Sequence, residues 1–109
     1  MNEKELEIKV RDNELYAKAL MKWGDREQIL MLAEECCELG AAALHLRRFI
    51  NDDAKLSALA EEIADVEIMV AQIKYALKNE YVNGESFNNL IARMSEIKKQ
   101  RLTKLLGSE

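Results

Sequence analysis

The sequence contains no proline and only four glycines in 109 residues. Both residue types interrupt helices, so little in this chain prevents long helical segments. Gly24, Gly84 and Gly107 stand where helices would end, and Gly40 stands inside one. Only two cysteines occur, Cys36 and Cys37, and they are adjacent. Neighbours on a helix point about 100° apart, which argues against a bond between them. A disulfide framework and zinc-ligand spacing are both excluded. Free thiols suit a reducing compartment, so a cytosolic location is expected. A single histidine, His45, leaves no pair of Glu-x-x-His motifs for a di-iron carboxylate bundle. No Asp-x-Asp-x-Asp-Gly calcium loop is present. No apolar run approaches the roughly 18 residues of a membrane span. The charged N-terminal stretch MNEKELEIK does not read as a secretory leader. The net charge of −4 disfavours capture of a nucleic-acid polymer.

What the sequence does contain is helical patterning. Hydrophobic residues make up 49% and charged residues 33%, enough for one domain with a modest core. Residues 1–11 alternate Leu6, Ile8 and Val10 with charges, so an extended arm or a helix start is expected there. Asp12 or Asn13 is expected to cap a first helix ending near Trp23. Asp25 and Gln28 resemble a capping box opening a second helix to about Ile50. Asn51 to Asp53 read as a turn, with Asp53 or Ser57 capping a third helix to about residue 80. Asn83 and Gly84 break the chain, and Ser86 caps a fourth helix from Phe87 to about Leu106. Leu90, Met94, Ile97 and Arg101 share one face of it. The expected fold class is all-α, an antiparallel four-helix bundle in a single domain spanning 1–109, prone to dimerise.

The feature that calls for explanation is AEECCEL, Ala33 to Leu39, and its echo AEEIADV, Ala60 to Val66. Residues three apart share a helix face, so Glu35 pairs with Glu38 and Glu62 with Asp65. Positions 35 and 65, like 38 and 62, are symmetric about residue 50, close to the expected turn. The two acidic pairs should therefore lie level across a helical hairpin. Four facing carboxylates must be solvated, partly protonated, or holding a cation. An all-oxygen donor set suits a hard ion such as Mg²⁺ or Mn²⁺. Mg²⁺ usually shares its shell with substrate phosphates, so the preferred reading is a metal site open to a phosphorylated ligand.

Glu34-Glu35-Cys36-Cys37-Glu38 followed by Glu62-Ile63-Ala64-Asp65, with WGDREQ upstream, resembles the MazG-type all-α nucleoside triphosphate pyrophosphohydrolases. The resemblance covers roughly residues 13–105. It implies a helical bundle that forms homodimers or homotetramers. It implies hydrolysis of a nucleoside triphosphate between its α- and β-phosphates, giving monophosphate and pyrophosphate, as nucleotide-pool cleaning. It implies Mg²⁺ as cofactor, with Glu35, Glu38, Glu62 and Asp65 as metal-binding and catalytic acids. Glu34 and Glu61 are expected to lie outside the ligand set.

Further parts of a substrate site are expected elsewhere. Lys98 and Arg101, with Lys104, form a basic stripe for the β- and γ-phosphates; the alternative is that they complement the helix dipole. The resemblance supports Lys98 and Arg101. Trp23 either stacks on a base or staples its helix to the bundle. Gln28 either hydrogen-bonds a base or closes its capping box. The runner-up to the enzyme reading is a non-catalytic helical dimer that binds a partner protein or a nucleotide.

Overall fold

The computed structural model describes residues 1–107 of the chain. Three helices and a small hairpin follow in the order α1 (Glu3–Arg48), α2 (Asp53–Ala76), β1 (Tyr81–Val82), β2 (Glu85–Ser86) and α3 (Phe87–Gly107). The all-α expectation holds, apart from the two-stranded ribbon. The chain divides into two compact units, Met1–Ala76 and Leu77–Glu109.

In the first unit, α1 starts much earlier than Asp12 or Asn13. Asn2 is its N-cap: the Asn2 side chain accepts from the Glu5 N–H at 2.8 Å, and Glu5 accepts from the Asn2 N–H at 3.4 Å. This reciprocal box satisfies two backbone donors at once and fixes the first turn. It overrides the alternation of Leu6, Ile8 and Val10, which remain exposed on the helix surface rather than extended. Asp12 and Asn13 are interior helical positions, and Asp12 pairs with Arg11 at 3.0 Å.

The helix is broken at Gly24, with φ 80 and ψ 165. That region is essentially glycine-only, so the stop expected after Trp23 is real although α1 resumes at once. The capping box expected beyond it does not form. The Asp25 carboxylate accepts from the Arg26 N–H at 2.8 Å, and the Gln28 side chain has no partner among the described residues. α1 ends where the Phe49 N–H reaches the His45 and Leu46 carbonyls. His45, Arg47 and Arg48 in its last turn oppose the negative end of the dipole.

The cap of α2 is Asp52, one residue before the expected Asp53 and well before Ser57. Its carboxylate accepts from the Lys55 N–H at 3.1 Å. The short turn returns α2 along α1, and the two helices pack against each other. Their less exposed positions fall on matching stripes. Gln28, Leu32, Glu35, Leu39, Ala42 and Leu46 line α1, and Leu59, Glu62, Val66, Met69 and Ile73 line α2. The steps of three and four are those of a helical seam. Among the described residues, Leu46, Met69 and Ile73 are the buried apolar side chains.

In the second unit, α2 does not continue to residue 80. After Ala76 the chain turns into the ribbon, with Tyr81 opposite Ser86 and Val82 opposite Glu85. Asn83 (φ 51) and Gly84 (φ 81) supply the two positive φ values that a two-residue hairpin turn of this hand requires. Ser86 caps α3 as expected, accepting from the Asn89 N–H at 3.2 Å. Arg93 grips Glu85 through Nε and Nη2, the shortest contact being 2.8 Å, and ties α3 to the ribbon.

Gly24 and Gly40 should respond oppositely to alanine. A Cβ at either position meets nothing within 4 Å. Gly24→Ala is then expected to cost about 1–3 kcal/mol for backbone conformation alone. Gly40→Ala, in a helix interior, is expected to gain about 0.5–1 kcal/mol. Denaturant midpoints measure both, and equal responses would mean that residue 24 is helical.

Candidate metal centre on the α1–α2 hairpin

The stripes of α1 and α2 bring acids, not only apolar side chains, to the seam. Glu35, Glu62 and Asp65 each offer a carboxylate oxygen, and these atoms lie within 4.8 Å of one another. Glu35 and Glu62 are half-buried, and Asp65 is exposed. Glu38 is not one of the three, but its charge acts on both Glu35 and Glu62. The acids expected to face one another across the hairpin therefore do so. Glu34, Glu61, Cys36 and Cys37 are exposed, as expected for positions off that line.

The electrostatics are unfavourable as they stand. Desolvation raises the Glu35 pKa above its ordinary 4.5, and the charges of Glu38, Asp65 and Glu34 raise it further. Glu62 is raised first by desolvation, then by Glu38, Asp65 and Glu35, and by a hydrogen bond with Glu38. Glu35 Oε2 and Glu62 Oε2 are buried with no hydrogen-bond partner among the described residues. Buried carboxylate oxygens normally have donors. No donor satisfies these two, and the surrounding charge is of the same sign. A cation placed among them would supply the missing positive charge. The donor set is all oxygen, which fits Mg²⁺ or Mn²⁺ and not a soft metal.

The other candidate residues divide between the two units. Trp23 and Gln28 belong to the first. Trp23 is 44% exposed, with the Lys22 ammonium 5.1 Å from its ring centre. It lines a cavity of about 330 Å³ together with Leu15, Tyr16, Ala19, Lys22 and Gln72. Gln28 is fully buried, at 0% exposure, and neither amide atom has a partner among the described residues. Lys98 and Arg101 lie exposed on α3 in the second unit, where Lys98 lines a groove with Leu90, Met94 and Leu102.

One polar group escaped the sequence reading. Gln72 lines the Trp23 cavity, and its Oε1 is buried without a partner. The signal was available: positions 28 and 72 are symmetric about residue 50, as the acidic pairs are. Comparison with family models, with curated proteins and with solved structures finds no match to this chain.

The raised pKa values give a test that needs no substrate. Above the ordinary value of 4.5, the folded chain binds protons on Glu35 and Glu62 more tightly than the unfolded chain does. Their contribution favours the fold below the ordinary value of 4.5 and is lost as pH rises through their raised values. Without divalent ions, Glu62→Gln is therefore expected to melt higher than wild type at neutral pH. The difference should shrink on acidification. Added Mg²⁺ should raise the wild-type melting temperature and leave the variant little changed.

Proposed function

We propose that this chain is a cytosolic, Mg²⁺-dependent nucleoside triphosphate diphosphatase acting in nucleotide-pool cleaning. The observation that carries the reading is the meeting of Glu35, Glu62 and Asp65 across the hairpin, beside Glu38, with buried oxygens that lack donors. Both acidic segments match the double motif on which the MazG-type resemblance rests. A solvated acidic face explains the charge run but not the buried, unpartnered oxygens.

In this reading the acids hold Mg²⁺, or Mn²⁺ in its place. The ion supplies positive charge that offsets the triphosphate and the carboxylates together. One of the carboxylates takes a proton from water. The water oxygen bonds to the α-phosphorus, the bond to the bridging oxygen breaks, and pyrophosphate leaves. The MazG-type resemblance, and not a contact between the two units, is what assigns Lys98 and Arg101 to the β- and γ-phosphates.

The active form in this reading is a homodimer or homotetramer. Apolar side chains including Ile29, Leu30, Leu44, Leu56 and Ile68 are exposed.

A pyrophosphate-release assay over a nucleotide panel, with and without Mg²⁺, tests the activity. Wild type is expected to release pyrophosphate only with the metal. Glu38→Gln and Asp65→Asn are expected to lose at least about 100-fold in turnover, on the scale of removing one transition-state contact. Full activity of Asp65→Asn would remove the metal assignment. Failure of wild type on every triphosphate would leave the non-catalytic helical dimer. Lys98→Ala or Arg101→Ala should raise KM by about 10-fold or more, the worth of a charge-assisted hydrogen bond. Light scattering at micromolar concentration is expected to give a mass of at least twice 12.5 kDa.

A further inference from the structure

The α1–α2 hairpin has two unlike sides. Away from the seam, α1 carries Ile29, Ala33, Cys36, Gly40 and Ala43 at steps of four, three, four and three. α2 carries Leu56, Ala60, Ile63, Glu67 and Val70 at the same steps. Each of these residues is exposed. The steps are the heptad period of a helix-packing stripe, and these stripes are separate from those that run through Glu35 and Glu62. At about 100° per residue, both lie roughly 80–160° round their helices from Glu35 and Glu62. The helices are antiparallel, so this rotation carries both stripes to one side of the hairpin. A rotation of about 260–300° carries Glu34, Glu38, Glu61 and Asp65 to the other side.

The two stripes are also level with each other. Ile29 and Val70, Cys36 and Ile63, Gly40 and Ala60, and Ala43 and Leu56 are nearly symmetric about residue 50, as the acids are. Together they form a two-helix face about 21 Å long, on which Glu67 is the single charged residue. An exposed apolar face of this extent marks an interaction surface.

Three features of the face specify its occupant. A pair of helices with matched heptads is complemented by another such pair, and the two pairs close a four-helix bundle. Like charges brought face to face normally bar a surface from pairing with itself; here almost none are present. The exposed acids, Glu38 and Asp65 among them, lie on the opposite side, so covering this face leaves the acidic centre open. We propose that a second copy of the chain docks its own α1–α2 hairpin on this face, with Cys36 inside the interface and Cys37 outside it. Cys37 is about 200° round α1 from Glu35 and so lies off the stripe. The proposal rests on the homodimer part of the function proposed above and on none of its chemistry. What it adds is the face that pairs and the residues that the pairing covers.

Two measurements without nucleotide or metal test it. Wild type is treated with N-ethylmaleimide at high and at low protein concentration, and each cysteine is followed by peptide mass spectrometry. Cys36 is expected to react at least 10-fold more slowly than Cys37 at the high concentration, and the gap is expected to close on dilution. Ile63 and Ile68 are both exposed on α2, at 41% and 48%, but Ile68 lies off the stripe, on the side of the acids. Ile63→Glu is expected to shift light scattering toward the 12.5 kDa monomer with helical circular dichroism retained. Ile68→Glu is expected to keep at least the dimer. Equal labelling of the two cysteines in a dimer that survives Ile63→Glu would overturn the proposed face and leave the homodimer reading standing. Loss of the dimer through Ile68→Glu would also overturn it. A monomeric wild type at every concentration would overturn both, whatever the outcome of the pyrophosphate assay.

Discussion

The hairpin is organised around a repulsion. Glu35, Glu38, Glu62 and Asp65 are held close together by two packed helices, and among the described residues no donor reaches Glu35 Oε2 or Glu62 Oε2. A fold selected for stability alone would put leucine at positions 35 and 62, because both lie on the seam stripes. The stripes explain how the repulsion is borne. Leu46, Met69 and Ile73 are buried toward the two ends of the seam and hold the helices together while the acids face each other between them.

The same stripes give the site its polarity. From the acids the seam runs two turns to Gln28 and Gln72, then to the break at Gly24, where Trp23 and Tyr16 line a cavity. Charged, amide and aromatic groups are thus ordered along one axis. The broken helix contributes to this order. Its glycine-only conformation lets residues before and after position 24 follow different directions within one chain segment.

Much of this was legible in the sequence where a periodic signal carried it. The i, i+3 spacing of the acids and their symmetry about residue 50 placed Glu35, Glu38, Glu62 and Asp65 correctly, because helical period and a short turn fix register. Gly24, Ser86 and the Asn83–Gly84 turn were also readable, each through a specific backbone requirement. Competing local signals were misread. The alternation at Leu6, Ile8 and Val10 suggested strand, but the Asn2–Glu5 box nucleates helix first. Asp52 outcompeted Asp53 and Ser57 as cap because it directly precedes the first helical residue. Gln28 was assigned to a local box, yet its amide is buried on the seam. Gln72 was missed because neutral amides carry no charge pattern to attract notice.

Hydrolysis at the α-phosphorus is the central claim, and one isotope experiment addresses it directly. Turnover of a nucleoside triphosphate in ¹⁸O-labelled water with Mg²⁺, followed by phosphorus NMR, locates the attacked atom. Label on the nucleoside monophosphate, with unlabelled pyrophosphate, is the predicted result. Label on pyrophosphate or orthophosphate, or no turnover at all, would contradict it.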